Sequence, residues 1–170
     1  MRKFICLVVI IFMSVSLTSY ADSPTHFSVM TFNVENGGTQ VDFDKTVEAV
    51  KQSGADIVGI QEAWGNTSRL AKALGWEYFD PRQHIASRFP LFETRDSKGI
   101  YLFVEIEKNK FVAMCNVHLP DDPYGPTLIQ DGATAAAVIK NERKVRLPTA
   151  LLFIDKLSLL AKQGIPVFLT

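Results

Sequence analysis

The pattern of apolar and polar positions predicts a strand, a helix and a second strand at the start of the folded region. In "HFSVMTFNVENGG", alternation over residues 27–33 predicts a strand that ends in a Gly-Gly loop. Phe43, Val47 and Val50 then recur at helical spacing, and Gly54 follows as a stop signal. The short apolar run Ile57–Gln61 is bounded by polar residues, so it is predicted as a buried strand.

The middle of the chain predicts one helix and several strands. A short helix fits "TSRLAKALG", and strands fit "WEYF" and "QHIASRF". The strings "KGIYLFVEIEK" and "KFVAMCNVHLP" predict a hairpin with "EKNK" as its turn, and residues 121–133, rich in Asp, Pro and Gly, predict a loop.

The C-terminal part predicts two helices and a strand. Residues 133–163 have helical character, and Pro148 should end one helix and begin another because proline lacks the backbone donor. The predicted apolar stripe of the second helix comprises Leu151, Ile154, Leu157 and Leu160. "IPVFLT" predicts a final strand, so the whole is interpreted as one α/β domain.

The first 21 residues have the pattern of a secretory signal. Arg2 and Lys3 precede an apolar stretch, and small residues close it at Ala21, where we expect cleavage. We therefore expect a secreted or periplasmic protein; an uncleaved N-terminal anchor is the alternative. Cleavage would remove Cys6 and leave Cys115 alone in an apolar run, which predicts a buried thiol and no disulfide framework.

Composition and charge are those of an ordinary globular domain. Of the 170 residues, 47% are hydrophobic and 21% charged, with a formal net charge of zero. Removing residues 1–21 takes away two basic and no acidic residues, which leaves a charge of −2. The chain therefore has no basic excess that would indicate a nucleic-acid or membrane surface.

Polar residues follow three predicted strands, at the positions where α/β enzymes present ligands. They are Asn33, Glu62 and His118. Singly, each has an ordinary interpretation: a turn asparagine, a solvated glutamate and a hydrogen-bonded histidine. Together they favour a site, since carboxylate and amide oxygens suit Mg²⁺ and an imidazole suits phosphate chemistry.

Four strings carry a family resemblance. "MTFNVENG", "ADIVGIQEAW", "IASRFPLFE" and "MCNVHLP", in this order, resemble the endonuclease/exonuclease/phosphatase superfamily, which has the deoxyribonuclease-I-like fold. The resemblance extends over residues 27–170. It implies a two-sheet α/β sandwich with outer helices, of which this chain would contain the N-terminal half: about one sheet and part of the second.

The resemblance also implies roles for individual residues. Glu62 matches the family's metal-binding glutamate and would hold Mg²⁺, with Mn²⁺ as an alternative; Asn33 would help to position metal and phosphate. His118 would hydrogen-bond a phosphoryl oxygen or pass a proton to the leaving group. Asn116 belongs to the same string and is interpreted equally well as a ligand or as a support for the strand. The implied partner is a phosphate-ester substrate, and no obligate protein partner is evident.

Residues around these positions are weaker candidates. Asp121 and Tyr124, in the loop after His118, could contact substrate, although turn chemistry alone explains the loop. Arg88 in "SRFP" could contact phosphate, although a surface arginine is the plainer interpretation. The plainer interpretation is also adopted for three further groups of residues: Glu35 and Asn36 as loop residues, "NERKVR" as a solvated face, and His84 and His26 as histidines without metal spacing.

Two functional hypotheses follow. The first is a secreted metal-dependent phosphohydrolase acting on phosphodiesters or phosphomonoesters, as a nuclease, a phospholipase or sphingomyelinase, or a phosphatase. In the family, a strand like "IPVFLT" leads into a Gly-Asp-x-Asn motif, which these 170 residues do not contain. The second hypothesis is therefore a catalytically inactive, truncated product, comprising residues 22–170, that acts at most as a binding or assembly module.

Overall fold

The computed structural model describes residues 26–40 and 42–170. The predicted signal sequence and Cys6 lie outside the described residues. Within the described ranges, every helix is too short or too polar to cross a membrane. The described residues form eight strands and five α-helices.

The first sheet is built from the N-terminal half of the described chain. Its strands are β1 (Val29–Asn33), β2 (Ile57–Gln61), β3 (Tyr78–Asp80) and β4 (Ile85–Ser87), in the order β1-β2-β4-β3. β1 and β2 run parallel, whereas β4 runs antiparallel to both β2 and β3. β2 is buried along its whole length, because its neighbours flank it on both sides and other layers cover both faces.

The second sheet has the order β5-β6-β7-β8. Its strands are β5 (Leu91–Phe92), β6 (Leu102–Glu107), β7 (Lys110–Cys115) and β8 (Val167–Leu169). β6 and β7 form the predicted hairpin, in which Asn109 adopts the left-handed backbone conformation of a tight turn. β8 adds parallel to β7, as a crossover through helices requires.

Helices cover the outer faces of both sheets. α1 (Phe43–Ser53) and α2 (Thr67–Leu74) pack on the first sheet, and α5 (Leu147–Lys162) packs on the second. Between the sheets, Ile57 and Ile85 meet Leu102, Val112 and Met114 in a core that joins the two halves. The layers are therefore helix, sheet, sheet and helix, which confirms the predicted α/β sandwich.

Helix boundaries follow from local chemistry. The Asp42 side chain accepts a hydrogen bond from the Asp44 amide at 3.0 Å and caps α1, and Gly54 ends the helix with φ 69°. The predicted break at Pro148 is confirmed: α4 (Ala135–Val145) ends before it, and Pro148 is the second residue of α5.

Three predictions about the fold are wrong in part. Residues 121–133 are not all loop, because α3 (Gly125–Gln130) starts there with a proline in its first turn, where a missing donor costs nothing. In α5, Leu157 and Leu160 are buried as predicted, but Leu151 and Ile154 are about half exposed. β7 ends at Cys115, so His118 follows the strand by three residues.

Cys115 is fully buried and free, as predicted. It packs in the core between the second sheet and α5, beside Leu157 and Leu160. Burial raises the pKa of the Cys115 thiol to about 12, because the thiolate would lose its hydration.

Candidate functional site

The two parallel strands of the first sheet bring Asn33 and Glu62 together. Asn33 is the last residue of β1 and pairs in register with Gln61, the last residue of β2. Glu62 follows immediately, so its side chain and that of Asn33 lie at the same edge of the sheet. Parallel strands end side by side, which is why two residues 29 positions apart in sequence meet here.

Hydrogen bonds fix the Glu62 carboxylate. Asn33 Nδ2 donates to Glu62 Oε1 at 2.8 Å, and the Asn36 backbone amide donates to Glu62 Oε2 at 3.3 Å. These two donors, the Asn33 amide first, hold the pKa of the Glu62 carboxyl below its ordinary value, because both stabilise the charged form. Glu62 is therefore an anion throughout the neutral pH range, and the hydrogen bonds from Asn33 and Asn36 fix the orientation of its carboxylate.

His118 reaches the same carboxylate from the second sheet. Its Nε2 atom lies 3.9 Å from Glu62 Oε1, and its side chain is about half exposed. The chain arrives there because β7 ends at the same end of the sandwich as β2, and the irregular segment after Cys115 turns toward the first sheet. The structure thus brings Asn33, Glu62 and His118 into one site.

Asn116 joins the two sheets beneath this site. Its Nδ2 donates to the Ile60 and Gln83 carbonyls, each at 3.0 Å, and its Oδ1 accepts from Gln61 Nε2 at 2.6 Å. The Thr170 hydroxyl also lies 3.3 Å from Asn116 Oδ1. Every polar atom of the Asn116 amide is therefore engaged within the protein, which favours the support role over the ligand role that its sequence left equally open.

An open cleft of about 480 Å³ extends from Glu62 and His118. His84, which precedes β4, lines the cleft together with Arg82 and Gln83, and Trp64 lies at the rim of the cleft. Sequence analysis missed Trp64, Arg82 and Gln83 as site residues. For Arg82 and Gln83, the signal was the short predicted strand around Ile85, since the residues that flank a strand lie at the edges of its sheet.

The structure contradicts the placement of Arg88 at the site. β4 runs antiparallel to β2, so its C-terminal flank lies beside the start of β2, and Arg88 pairs with Asp56 at 3.5 Å. Asp56 precedes Glu62 by six residues of extended chain, or about 20 Å. Arg82 supplies the arginine of the cleft instead, and its guanidinium is bound by Asp80 and Glu93.

The two other candidates predicted at the rim of the site, Asp121 and Tyr124, differ in their positions. Asp121 acts electrostatically on Glu62, which places its carboxylate near the site. Tyr124 precedes α3 and is largely exposed, and it is not among the described residues that line the cleft. Arg146, predicted as solvated, instead turns inward, pairs with Glu142 at 2.7 Å and donates to the Asp121 carbonyl at 2.8 Å. It therefore anchors the loop that carries Asp121.

Comparison with known proteins decides the family. A model of the Endonuclease/Exonuclease/phosphatase family matches residues 30–143, which include Asn33, Glu62 and His118. The chain belongs to this family. Searches of curated proteins and of solved structures give no match. Members of the Endonuclease/Exonuclease/phosphatase family hydrolyse phosphoric esters and generally use divalent metal ions.

The side chains at the site fit a hard divalent cation of this family. Within residues 26–40 and 42–170, no three His, Cys, Asp or Glu side chains group so that they could together hold an ion. Glu62 nevertheless offers an ionised carboxylate whose orientation Asn33 and Asn36 fix. One carboxylate suits Mg²⁺, because Mg²⁺ keeps several waters and completes its shell with substrate phosphate.

Proposed function

We propose that this protein is a magnesium-dependent phosphoric ester hydrolase whose metal is held by Glu62. The observation that carries the proposal is the convergence of Asn33 and His118, from two different sheets, on the Glu62 carboxylate, beside an open cleft that Glu62 and His118 line. Mn²⁺ would serve in place of Mg²⁺, since both accept oxygen ligands in octahedral geometry. Export guided by residues 1–21 completes the proposal and gives a secreted or periplasmic enzyme.

Each residue of the site has a distinct task in this proposal. Glu62 would hold the metal, which when bound would supply Lewis-acid stabilisation of the charge on the phosphoryl group. Asn33 holds the Glu62 carboxylate in position and keeps it ionised. His118, whose Nε2 lies 3.9 Å from Glu62 Oε1, would donate to a phosphoryl oxygen or pass a proton to the leaving oxygen.

The substrate of the proposed enzyme is a phosphodiester or a phosphomonoester. Nucleic acid, phospholipid and small-molecule substrates share this chemistry, and the three residues above act only on the phosphate. The negative charge of Asp121 acts on Glu62 and opposes the lowering of its pKa, and we propose Asp121 as a substrate contact. Arg82 joins it as the arginine that lines the cleft.

The proposal can be tested by measuring hydrolysis of bis(4-nitrophenyl) phosphate. The chain is assayed with Mg²⁺ at about 5 mM or with EDTA. We expect turnover that EDTA abolishes and that Glu62→Gln and His118→Ala reduce by about 100-fold or more. Glu77→Gln is the matched control, because Glu77 is an exposed glutamate two residues after Gly75, at the C-terminal end of α2.

Two outcomes would contradict the proposal. Turnover that is unchanged in Glu62→Gln would remove the metal assignment. Absence of any turnover by the unmodified chain, with Mg²⁺ or Mn²⁺ present, would favour the alternative of a catalytically inactive binding or assembly module.

A further inference from the structure

The helices α4 and α5 carry an apolar surface that the described part of the chain leaves about half exposed. Of the twelve exposed large hydrophobic residues among the described ones, six lie on these two helices. They are Ile139, Leu147, Leu151, Leu152, Ile154 and Leu159, and each is between 43% and 56% exposed. A helix that is apolar on almost every side is normally buried, and a contiguous exposed apolar surface marks an interaction site.

This surface lies on a fixed support. The Arg146 amide donates to the Glu142 carbonyl and the Ala150 amide donates to the Arg146 carbonyl, each at 3.0 Å, so helical hydrogen bonds continue on both sides of the junction between α4 and α5. The inner side of α5 packs on the second sheet through Leu157 and Leu160. The outer side of the helix pair therefore keeps a defined orientation to the rest of the fold.

Basic and apolar residues share the outer side of the helix pair. We call five of these residues the α4–α5 stripe: Lys140, Lys144, Leu147, Leu151 and Ile154. Their spacing alternates between four and three residues, which keeps them along one side of a helix, and all five are exposed. Arg143 is exposed beside them, and none of the three basic residues has an ion-pair partner among the described residues.

Charge is unevenly divided between this helix pair and the rest of the chain. Residues 135–162 contain six basic and two acidic residues, which gives a net charge of +4. Because residues 22–170 carry −2, the remainder of that chain carries −6. One of the two acidic residues, Glu142, is paired with Arg146. The overall charge therefore gives no indication of this basic and apolar region, which complements a surface that is both anionic and apolar.

We propose that the α4–α5 stripe docks the protein on the surface of an anionic lipid bilayer. Leu147, Leu151 and Ile154 enter the boundary between head groups and acyl chains, and Lys140 and Lys144 lie among the anionic head groups. None of the five stripe residues lines the cleft. The inference therefore goes beyond the proposed function, and it leaves the substrate bound at the cleft open.

Two other occupants of the stripe fit these observations less well. A second copy of the chain would bring two surfaces of charge +4 against each other, which opposes association. A nucleic acid would pair with Lys140, Arg143 and Lys144 through its phosphates, but it would leave the exposed leucines in water. An anionic bilayer pairs with the lysines and also removes the leucines from water.

A fluorescent label on the stripe tests the docking directly. In a chain with Cys6→Ser, the buried Cys115 stays unlabelled, and a thiol-reactive, environment-sensitive fluorophore is attached at Leu147→Cys. The control carries the label at Lys72→Cys, an exposed position on α2. The vesicles contain phosphatidylcholine alone or with phosphatidylserine at about 30%. We expect the phosphatidylserine vesicles to shift the emission of the label at Leu147→Cys to the blue and to leave that at Lys72→Cys unchanged.

Variants of the protein labelled at Leu147→Cys separate the basic from the apolar contribution to docking. Each lysine near an anionic surface contributes about fivefold in affinity, so Lys140→Gln combined with Lys144→Gln should weaken vesicle binding by about 25-fold. Leu151→Gln combined with Ile154→Gln should weaken it by at least about tenfold. Both pairs should keep the Tm, because the substituted side chains are exposed. Lys51→Gln combined with Lys72→Gln, on α1 and α2, is the matched control and should bind within about twofold of the parent.

Three outcomes would overturn the proposal. The first is equal binding to vesicles with and without phosphatidylserine, and the second is a blue shift at Lys72→Cys as large as that at Leu147→Cys. The third is a blue shift that grows with protein concentration without vesicles, which would assign the stripe to a second copy. Release from phosphatidylserine vesicles by duplex DNA, with the blue shift retained, would equally overturn it in favour of a nucleic acid. Glu62→Gln should bind vesicles as the unmodified chain does, so docking and hydrolysis fail independently.

Discussion

Replacing Asn116 by alanine tests whether this residue is a support or a ligand. The wild-type amide ties the segment after β7 to the first sheet through the Ile60 and Gln83 carbonyls and the Gln61 side chain. Asn116→Ala removes all three bonds at once. It also leaves the partly buried Gln61 amide facing a void.

The magnitude follows from these three bonds. A typical hydrogen bond within a protein contributes about 0.5–1.5 kcal/mol net, and the contacts here are only partly buried, so we expect a loss of about 2–3 kcal/mol in the free energy of unfolding. For a chain of this length, each kcal/mol lowers the Tm by about 2–4 °C, which gives a fall of about 4–12 °C.

Thermal and urea unfolding, followed by circular dichroism, measure the effect. Asn33→Ala is the matched control, because it also removes a side-chain amide. The bond from Asn33 to Glu62 is exposed, so its loss should lower the free energy of unfolding by less than about 1 kcal/mol. Unchanged stability in Asn116→Ala, together with lost Mg²⁺-dependent hydrolysis, would refute the reasoning and would identify Asn116 as a ligand.

Three further predictions concern packing, the buried thiol and the loss of metal binding at acidic pH. Gly59→Ala should destabilise the chain by about 1–3 kcal/mol in urea unfolding, because the added Cβ would clash with the Thr170 hydroxyl and approach Asn116 Oδ1 to 2.8 Å. A neutral effect would contradict the close approach of the two sheets. Cys115 should not react with a thiol reagent at pH 8 until the chain unfolds, and fast labelling of the native protein would contradict its burial. The lowered pKa of the Glu62 carboxyl should keep metal binding intact as the pH falls to the ordinary glutamate range. Asn33→Ala should raise that pKa and shift the acidic loss of Mn²⁺ binding to higher pH, and an unshifted profile would contradict the cause assigned here.

The residues that follow parallel strands could be predicted from the sequence. The apolar bodies of β1 and β2 end abruptly at Asn33 and Glu62, and parallel strands carry their C-terminal ends to one edge. Arg88 was a candidate on the "SRFP" string alone, and it lies away from the site because β4 runs antiparallel and its C-terminal flank lies at the far end of the sheet. Its N-terminal flank, with Arg82 and Gln83, faces the cleft instead. Strand direction depends on long-range pairing, which a local pattern does not encode.

The helices of the second half show a different limit. α5 is apolar on almost every side, so periodicity could not tell the buried Leu157 and Leu160 from the exposed Leu151 and Ile154. The face is decided by contact with β7, where Cys115 forms part of the facing core. The contacts of Asn116 could not be predicted from the sequence either, because they depend on how the two sheets pack together.

Binding of Mn²⁺, measured by electron paramagnetic resonance, tests most directly the central claim that Glu62 holds the metal of this family. The account predicts one saturable site that Mg²⁺ displaces, that Glu62→Gln weakens by about tenfold or more, and that Glu77→Gln leaves unchanged. Equal Mn²⁺ affinity in the unmodified chain and in Glu62→Gln would contradict the account.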